Sequence, residues 1–251
     1  TANGIYLTNS SNMTFTNNEI STAGEYGIFS ENSPNSVVNN NEINGGYSTA
    51  AIKMQDCDNC EFDSNTITNR PYRGIWTQYS DNTSITNNTM DVQQTGIEAQ
   101  DGSYLTIENN TITNFEEYGI YFQSSENSIV NYNRLYCATA GGFKRGINNS
   151  EGSQYAVVNY NYVDISLDNT GGSYYDQYGI EVHDSEVIGD SVFVYINGNF
   201  RSNGVGIRAD RSVINSNYVN VQDHSAWGGD ETFAIQSYGD SGHGRTIKNH
   251  T

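Results

Sequence analysis

The chain has 251 residues, 35% of them hydrophobic, and a formal net charge of −18 at pH 7. That charge is opposite to the basic footprint that nucleic-acid phosphates require, and it disfavours an anionic membrane surface. No apolar run reaches the roughly 18 residues of a membrane span, so neither a nucleic-acid partner nor membrane insertion is expected. Disorder is also excluded, because 19 Tyr and 25 Gly accompany a regular apolar pattern. Pro34 and Pro71 are the two prolines. Their scarcity suits a ladder-rich β protein, since proline cannot donate to a ladder.

The chain opens directly inside a repeat, Thr1-Ala2-Asn3-Gly4-Ile5, and ends inside one, Asn249-His250-Thr251. It reads as a single domain over 1–251 cut from something longer. A Gly-Ile or Ala-Ile pair recurs with Ile at 5, 28, 52, 75, 97, 120, 147, 180, 207 and 235, and the first five steps are 23, 24, 23, 22 and 23 residues. A second apolar column follows at Phe15, Val38, Phe62, Ile85, Ile107, Val130, Val158, Ile196, Ile214 and Ile247. A third runs Ile20, Ile43, Ile67, Met90, Ile112, Leu135, Val163 and Val219. Around these positions apolar and polar residues alternate, as in Gly4-Ile5-Tyr6-Leu7-Thr8, which is the period of a strand and not of a helix. Three apolar columns per repeat predict three strands per turn, and each turn is too small to bury its own face without stacking on a neighbour.

Three residues after the second column stands an asparagine: Asn18, Asn41, Asn65, Asn88, Asn110, Asn133, Asn161, Asn199 and Asn217. Asparagine tolerates the left-handed backbone of a tight corner, and stacked amides can bond along the axis. These residues are expected to build the corner.

The pattern Gly-Ile-x-x-x-x-Ser-x-Asn-x-x-Ile/Val-x-Asn-Asn-x-Ile resembles the parallel β-helix repeat of the pectate-lyase-like superfamily over essentially the whole chain. The resemblance implies an all-β fold: a single-stranded right-handed parallel β-helix, a solenoid of about ten rungs with three strands per rung. Polysaccharide lyases, hydrolases, uronan epimerases, tailspikes and adhesive surface proteins share this repeat, so it does not select an activity. Gly242-His243-Gly244 with Arg245-Thr246-Ile247-Lys248 is similar to the G-H-G and R-I-K elements of polygalacturonases, but here the two are contiguous. The N-x-D and D-D carboxylates of that family and the D-P-H of uronan epimerases are missing.

Function must then be sought on the outer faces. In the first strand the residue after each Ile points out, giving Tyr6, Phe29, Lys53, Trp76, Glu98, Tyr121, Asn148, Glu181, Arg208 and Gln236. Two residues further on run Thr8, Glu31, Gln55, Gln78, Gln100, Gln123, Ser150, His183, Asp210 and Tyr238. Flat aromatics beside amides and carboxylates suit sugar rings, which have apolar faces and polar edges. Trp76, Glu98, Tyr121 and Gln123 are therefore candidate contacts. The connections 136–146, 164–179 and 220–234 are longer than their counterparts, and Tyr175 and Trp227 on them are expected to wall the face.

The candidate catalytic cluster is Glu181, His183, Arg208 and Asp210. With rungs about 4.8 Å apart, Glu181 and Asp210 fall at roughly 8 Å, inside the ~6.5–9.5 Å that inverting glycosidases use. For elimination or epimerisation, His183, Tyr178 and Arg208 could supply base, acid and cation. Opposite charges in adjacent rungs also serve register alone. Cys57-Asp-Asn-Cys60 lacks the second half of a zinc site, and Asp56-Cys57-Asp58-Asn59 leaves calcium as the one conceivable cofactor. Asn-x-Ser/Thr triplets begin at Asn9, Asn12, Asn82, Asn87, Asn109, Asn148 and Asn249 and permit glycosylation without requiring it.

The sequence thus predicts an extracellular or virion-surface β-helix that engages polysaccharide or cell-surface glycan along its first strands. The alternative is a structural or adhesive rod. Open rung edges in either case favour end-to-end stacking or a homo-oligomer.

Overall fold

The computed structural model describes residues 3–21, 24–139, 142–150, 152–169, 175–198, 202–225, 232–238 and 246–248. They form three parallel sheets and no helix. The first sheet has ten strands, from Asn3–Thr8 to Thr232–Tyr238, and the second also has ten, from Thr14–Thr16 to Thr246–Lys248. The third has nine, from Glu19–Ile20 to Tyr218–Ser225. Successive strands of each sheet come from successive rungs, so the chain winds as the predicted parallel solenoid.

Ile28 pairs with Ile52, Ile75 with Ile97 and Ile147 with Ile180, so each predicted column is one row of the core. These isoleucines are fully buried, as are Val38, Phe62, Ile85, Ile107, Val130 and Val158 of the second row. Each such burial contributes about 1.5–3 kcal/mol, which is how rungs too small to fold alone become stable together. The glycine before each Ile permits close stacking: a Cβ on Gly96 would lie 2.5 Å from the carbonyl oxygen of Gly119.

At the second corner the asparagine amides bond from rung to rung. Asn65 Nδ2 donates to Asn88 Oδ1 at 2.9 Å, and Asn88 Nδ2 donates to Asn110 Oδ1 at 3.0 Å. Each amide also reaches back to a backbone carbonyl, as Asn88 does to Phe62 at 2.9 Å. The left-handed backbone, however, belongs to the residue before: Asn17, Asn40, Ser64, Asn87, Asn109, Tyr132, Tyr160 and Ser216 have φ between 54° and 58°, apart from Asn40 at 53°. The stacked asparagine serves hydrogen bonding, and its neighbour makes the turn.

The rung of Ile180 differs from its predicted alignment. Val187 occupies the second apolar row, pairing with Val158 and Ile214, and Val192 occupies the third. Ile196, assigned by spacing to the second row, lies in the third-sheet strand Ser191–Gly198. Asp190 therefore fills the corner place given to Asn199, a residue outside the described ones. Asn161 donates to Asp190 Oδ1 from its backbone N at 2.7 Å and from Nδ2 at 2.9 Å.

The long connections are also largely strand. Third-sheet strands grow from three residues at Thr111–Thr113 to eight at Tyr162–Asn169, Ser191–Gly198 and Tyr218–Ser225. First-sheet strands grow from six to nine at Tyr175–His183 and Ser202–Asp210. The added residues alternate inward: Val163, Ile165 and Leu167, like Val192, Val194 and Ile196, are all buried. They widen the core.

Candidate functional site: the outer face of the first sheet

Strand alternation turns the predicted outward residues to one face in register, with Trp76 opposite Glu98, Glu98 opposite Tyr121, Glu181 opposite Arg208 and His183 opposite Asp210. A further outward column, two residues before each Ile, completes the face. It holds Tyr26, Arg73, Tyr118, Arg145 and Tyr178, and strict alternation misses it, because the glycine before each Ile faces the core as the Ile does, as Gly96 does against Ile112, and so shifts the period by one residue.

The two columns lock together in two clusters. In the first, the Lys53 ammonium lies 3.7 Å from the Trp76 ring centroid, and the Arg73 guanidinium carbon lies 4.9 Å from it. Arg73 also pairs with Glu98, whose other oxygen accepts from Gln100 Nε2 at 2.8 Å. Lys53 is buried, and that desolvation lowers its pKa. Such cation–π contacts contribute about 0.5–2 kcal/mol each.

The second cluster centres on Glu181, which is 7% exposed. Oε2 accepts from Arg145 Nε at 2.6 Å and from Asn148 Nδ2 at 2.8 Å, and Oε1 accepts from Arg208 Nη1 at 3.0 Å. Arg208 Nη1 also donates to the Tyr178 hydroxyl at 3.2 Å. Tyr178 is nearly buried, and that desolvation pushes its phenol up, away from a role as a base at neutral pH. His183 Nδ1 stands 3.5 Å from Asp210 Oδ2, which also accepts from Arg211 Nη1 at 2.8 Å. Arg211 in turn grips Asp184 through two bonds of 2.7 and 2.8 Å. The four candidate catalytic residues are thus adjacent, but both oxygens of Glu181 are committed to protein donors. That is the geometry of a register clamp.

Between the clusters Tyr121 stacks on Tyr118 at 4.6 Å and donates to Gln123 Oε1 at 3.3 Å, and Gln123 is exposed. Tyr175 stands edge-on to Phe143 at 5.5 Å. Trp227 lies outside the described residues. Along the entry edge of the same sheet a cleft of about 350 Å³ opens, bounded by Tyr72, Gln93, Gln94, Glu116, Glu117 and Phe143. Phe143 is 47% exposed there. Arg70 pairs with Glu116 at 3.3 Å, and among the described residues no cation pairs with Glu117. Sequence columns cannot reveal this cleft, because its residues sit in corners whose lengths vary between rungs.

The sequence matches the family described as periplasmic copper-binding protein (NosD) over residues 1–136 and again over 51–232. The chain belongs to the NosD family. No curated protein matches it. Among solved structures, this NosD-family chain is similar to DFA-IIIase from Arthrobacter chlorophenolicus A6 in complex with DFA-III, at 17% identity and a TM-score of 0.65 over 88% of this chain and 57% of that one. The same enzyme in complex with GF2 gives 18% identity and a TM-score of 0.60 over 82% and 50%. PfbA, a surface adhesin of Streptococcus pneumoniae, gives 14% and 0.53 over 88% and 63%. The chain spans about half the length of the DFA-IIIase chains it matches. At these identities the likeness establishes the shared parallel β-helix.

The family description raises the question of copper. Among the described residues no three His, Cys, Asp or Glu side chains gather as a metal site. Cys57 and Cys60 are buried free thiols that stand in a column of hydrogen-bonded serines: Cys57 N donates to Ser80 Oγ at 3.0 Å, and Ser36 N donates to Cys60 Sγ at 3.4 Å. Their thiols face backbone carbonyls of the rung before. Asp58 Oδ1 accepts from Asp81 N at 2.9 Å, holding the corner. The described residues do not fit a copper centre.

Proposed function

We propose that the chain binds a neutral polysaccharide along the outer face of its first sheet, outside the cytoplasm, and does not cleave it. The edge cleft carries this reading. Tyr72 and Phe143 offer ring faces for a sugar, while Gln93, Gln94 and the carboxylates of Glu116 and Glu117 offer acceptors and donors for its hydroxyls. Two carboxylates at the cleft disfavour an anionic sugar. Tyr118, Tyr121 and Gln123 continue the same face along the axis. Binding without turnover follows from the carboxylates best placed for chemistry: Glu98 and Glu181 each have both oxygens engaged by protein donors. The fold is shared with an enzyme solved with DFA-III and with a surface adhesin, and both are compatible with sugar contact on a β-helix.

The test is a glycan array followed by calorimetry with the best neutral oligosaccharide, with reducing ends followed over time. Phe143→Ala and Tyr72→Ala should each weaken binding about tenfold, and reducing ends should stay flat. Absence of binding by the wild type removes the glycan reading and leaves a structural or adhesive rod. Release of reducing ends overturns the non-catalytic half of the proposal.

A further inference from the structure

A second cleft lies on the opposite side of the rung from the first sheet's edge, where the second corner meets the third sheet. It measures about 330 Å³ and is bounded by Tyr132, Tyr160, Tyr162, Arg134, Asn109 and Thr111. Tyr132 and Tyr160 occupy the left-handed corner position, at φ 55° and 54°, that asparagine or serine fills in most other rungs. The backbone there turns both rings outward, and each is 53% exposed. They stack at 5.3 Å with planes 10° apart. The next rung makes room with Gly189, whose missing Cβ would meet Tyr160 Cε1 at 2.6 Å. Beside this pair a ribbon of rings continues along the third sheet, Tyr136–Tyr162 at 5.4 Å, Tyr162–Phe193 at 5.3 Å and Phe193–Tyr218 at 5.5 Å. In the first rungs the same sheet carries Glu19, Glu42, Thr66 and Thr89 instead.

Arg134 stands in register between Thr111 and Tyr162, with its side chain exposed. The other described arginines all answer an internal carboxylate: Arg70 has Glu116, Arg73 has Glu98, Arg145 and Arg208 share Glu181, and Arg211 holds Asp184. Among the described residues no carboxylate pairs with Arg134, and none lines its cleft. In a chain of net charge −18 this leaves an exposed guanidinium beside two stacked rings with no described carboxylate holding it, open to an anionic group.

We propose that the second-corner cleft binds a carboxylate-bearing sugar residue. The planar fork of Arg134 takes the carboxylate, and Tyr132 and Tyr160 take the apolar ring face. Asn109 and Thr111 are placed for hydroxyls, and the Tyr162 ribbon receives neighbouring residues of the chain. This site is separate from the first-sheet face and opposite to it in charge preference, so the proposal does not rest on that reading.

The experiment is calorimetry with an oligogalacturonate and with its methyl ester, which has the same backbone without the charge. The wild type should bind the acid at least about tenfold more tightly than the ester, as a charge-assisted bidentate contact implies. Arg134→Gln should abolish that preference, and Tyr160→Ala should weaken both ligands. Both side chains are exposed, and circular dichroism verifies that the variants fold. Equal affinity for acid and ester, a preference that survives in Arg134→Gln, or no binding at all would each overturn the proposal. Binding lost in Phe143→Ala but kept in Arg134→Gln would place the sugar in the edge cleft and overturn the assignment as well.

Discussion

Replacing Asp190 by asparagine should stabilise the protein, and by an amount that depends on pH. Asp190 is fully buried, and Oδ1 has the two bonds from Asn161. Oδ2 has no partner among the described residues. In the other rungs an amide nitrogen stands there and donates to a carbonyl of the rung before, as Asn161 Nδ2 does to Val130 at 2.8 Å and Asn217 Nδ2 does to Val187 at 3.0 Å. A carboxylate cannot donate, and burial pushes the Asp190 carboxyl up to about 8. The folded protein therefore holds a proton at pH 7 that the unfolded chain, with an ordinary value of about 3.9, releases. At about 1.4 kcal/mol per pH unit, this costs on the order of 4 kcal/mol. The sign follows from a folded value above the unfolded one in an acid. The contribution of Asp190 is most favourable below pH ~4, falls as pH rises towards ~8, and is constant above. Urea melts of wild type and Asp190→Asn from pH 4.5 to 9 measure it, and other carboxylates cancel in the difference. The advantage of the variant should grow from pH 4.5 to about 8 and level off above it. A difference independent of pH, or a variant less stable at pH 8, would refute the account.

Other substitutions probe the remaining structural claims. Gly179→Ala brings a Cβ to 2.1 Å from Val192 Cγ1 and 2.6 Å from the Gly206 carbonyl oxygen, so it should cost about 1–3 kcal/mol in a urea melt. Cys57→Ser restores the serine that both neighbouring rungs carry at that corner, and Cys60→Ser the hydroxyl that Ser36 and Thr83 carry, so melting should change by less than about 1 kcal/mol. Glu181→Ala leaves Arg145 and Arg208 facing each other across an emptied site, and should lose about 2–4 kcal/mol of stability. A stable Glu181→Ala protein with altered chemistry would instead mark Glu181 as catalytic.

Much of the first sheet was legible because strand geometry is periodic. Once Ile75 and Ile97 are aligned, the pairings of Trp76 with Glu98 and of Gln78 with Gln100 follow without further information. The alignment failed at Ile180, where longer third strands introduced extra apolar residues. Spacing offered Ile196, and only the packing of neighbouring rungs selects Val187 and hence Asp190. The two clefts were illegible for a different reason. Phe143 and Glu117 meet through a corner whose length varies between rungs, so no period connects them, while Tyr160 and Arg134 stand on regular columns whose turn outward at the corner the apolar pattern does not record.

The repeat by itself determined the solenoid, its three sheets and the direction of the side chains that follow each Ile in the first strands, because stacking fixes those once the period is known. Tertiary structure decided what the outward residues do. Whether Glu181 is a free carboxylate or a clamp depends on Arg145 and Arg208 arriving from the rungs on either side. Those contacts depend on rotamers and local burial, which no column of residue types records.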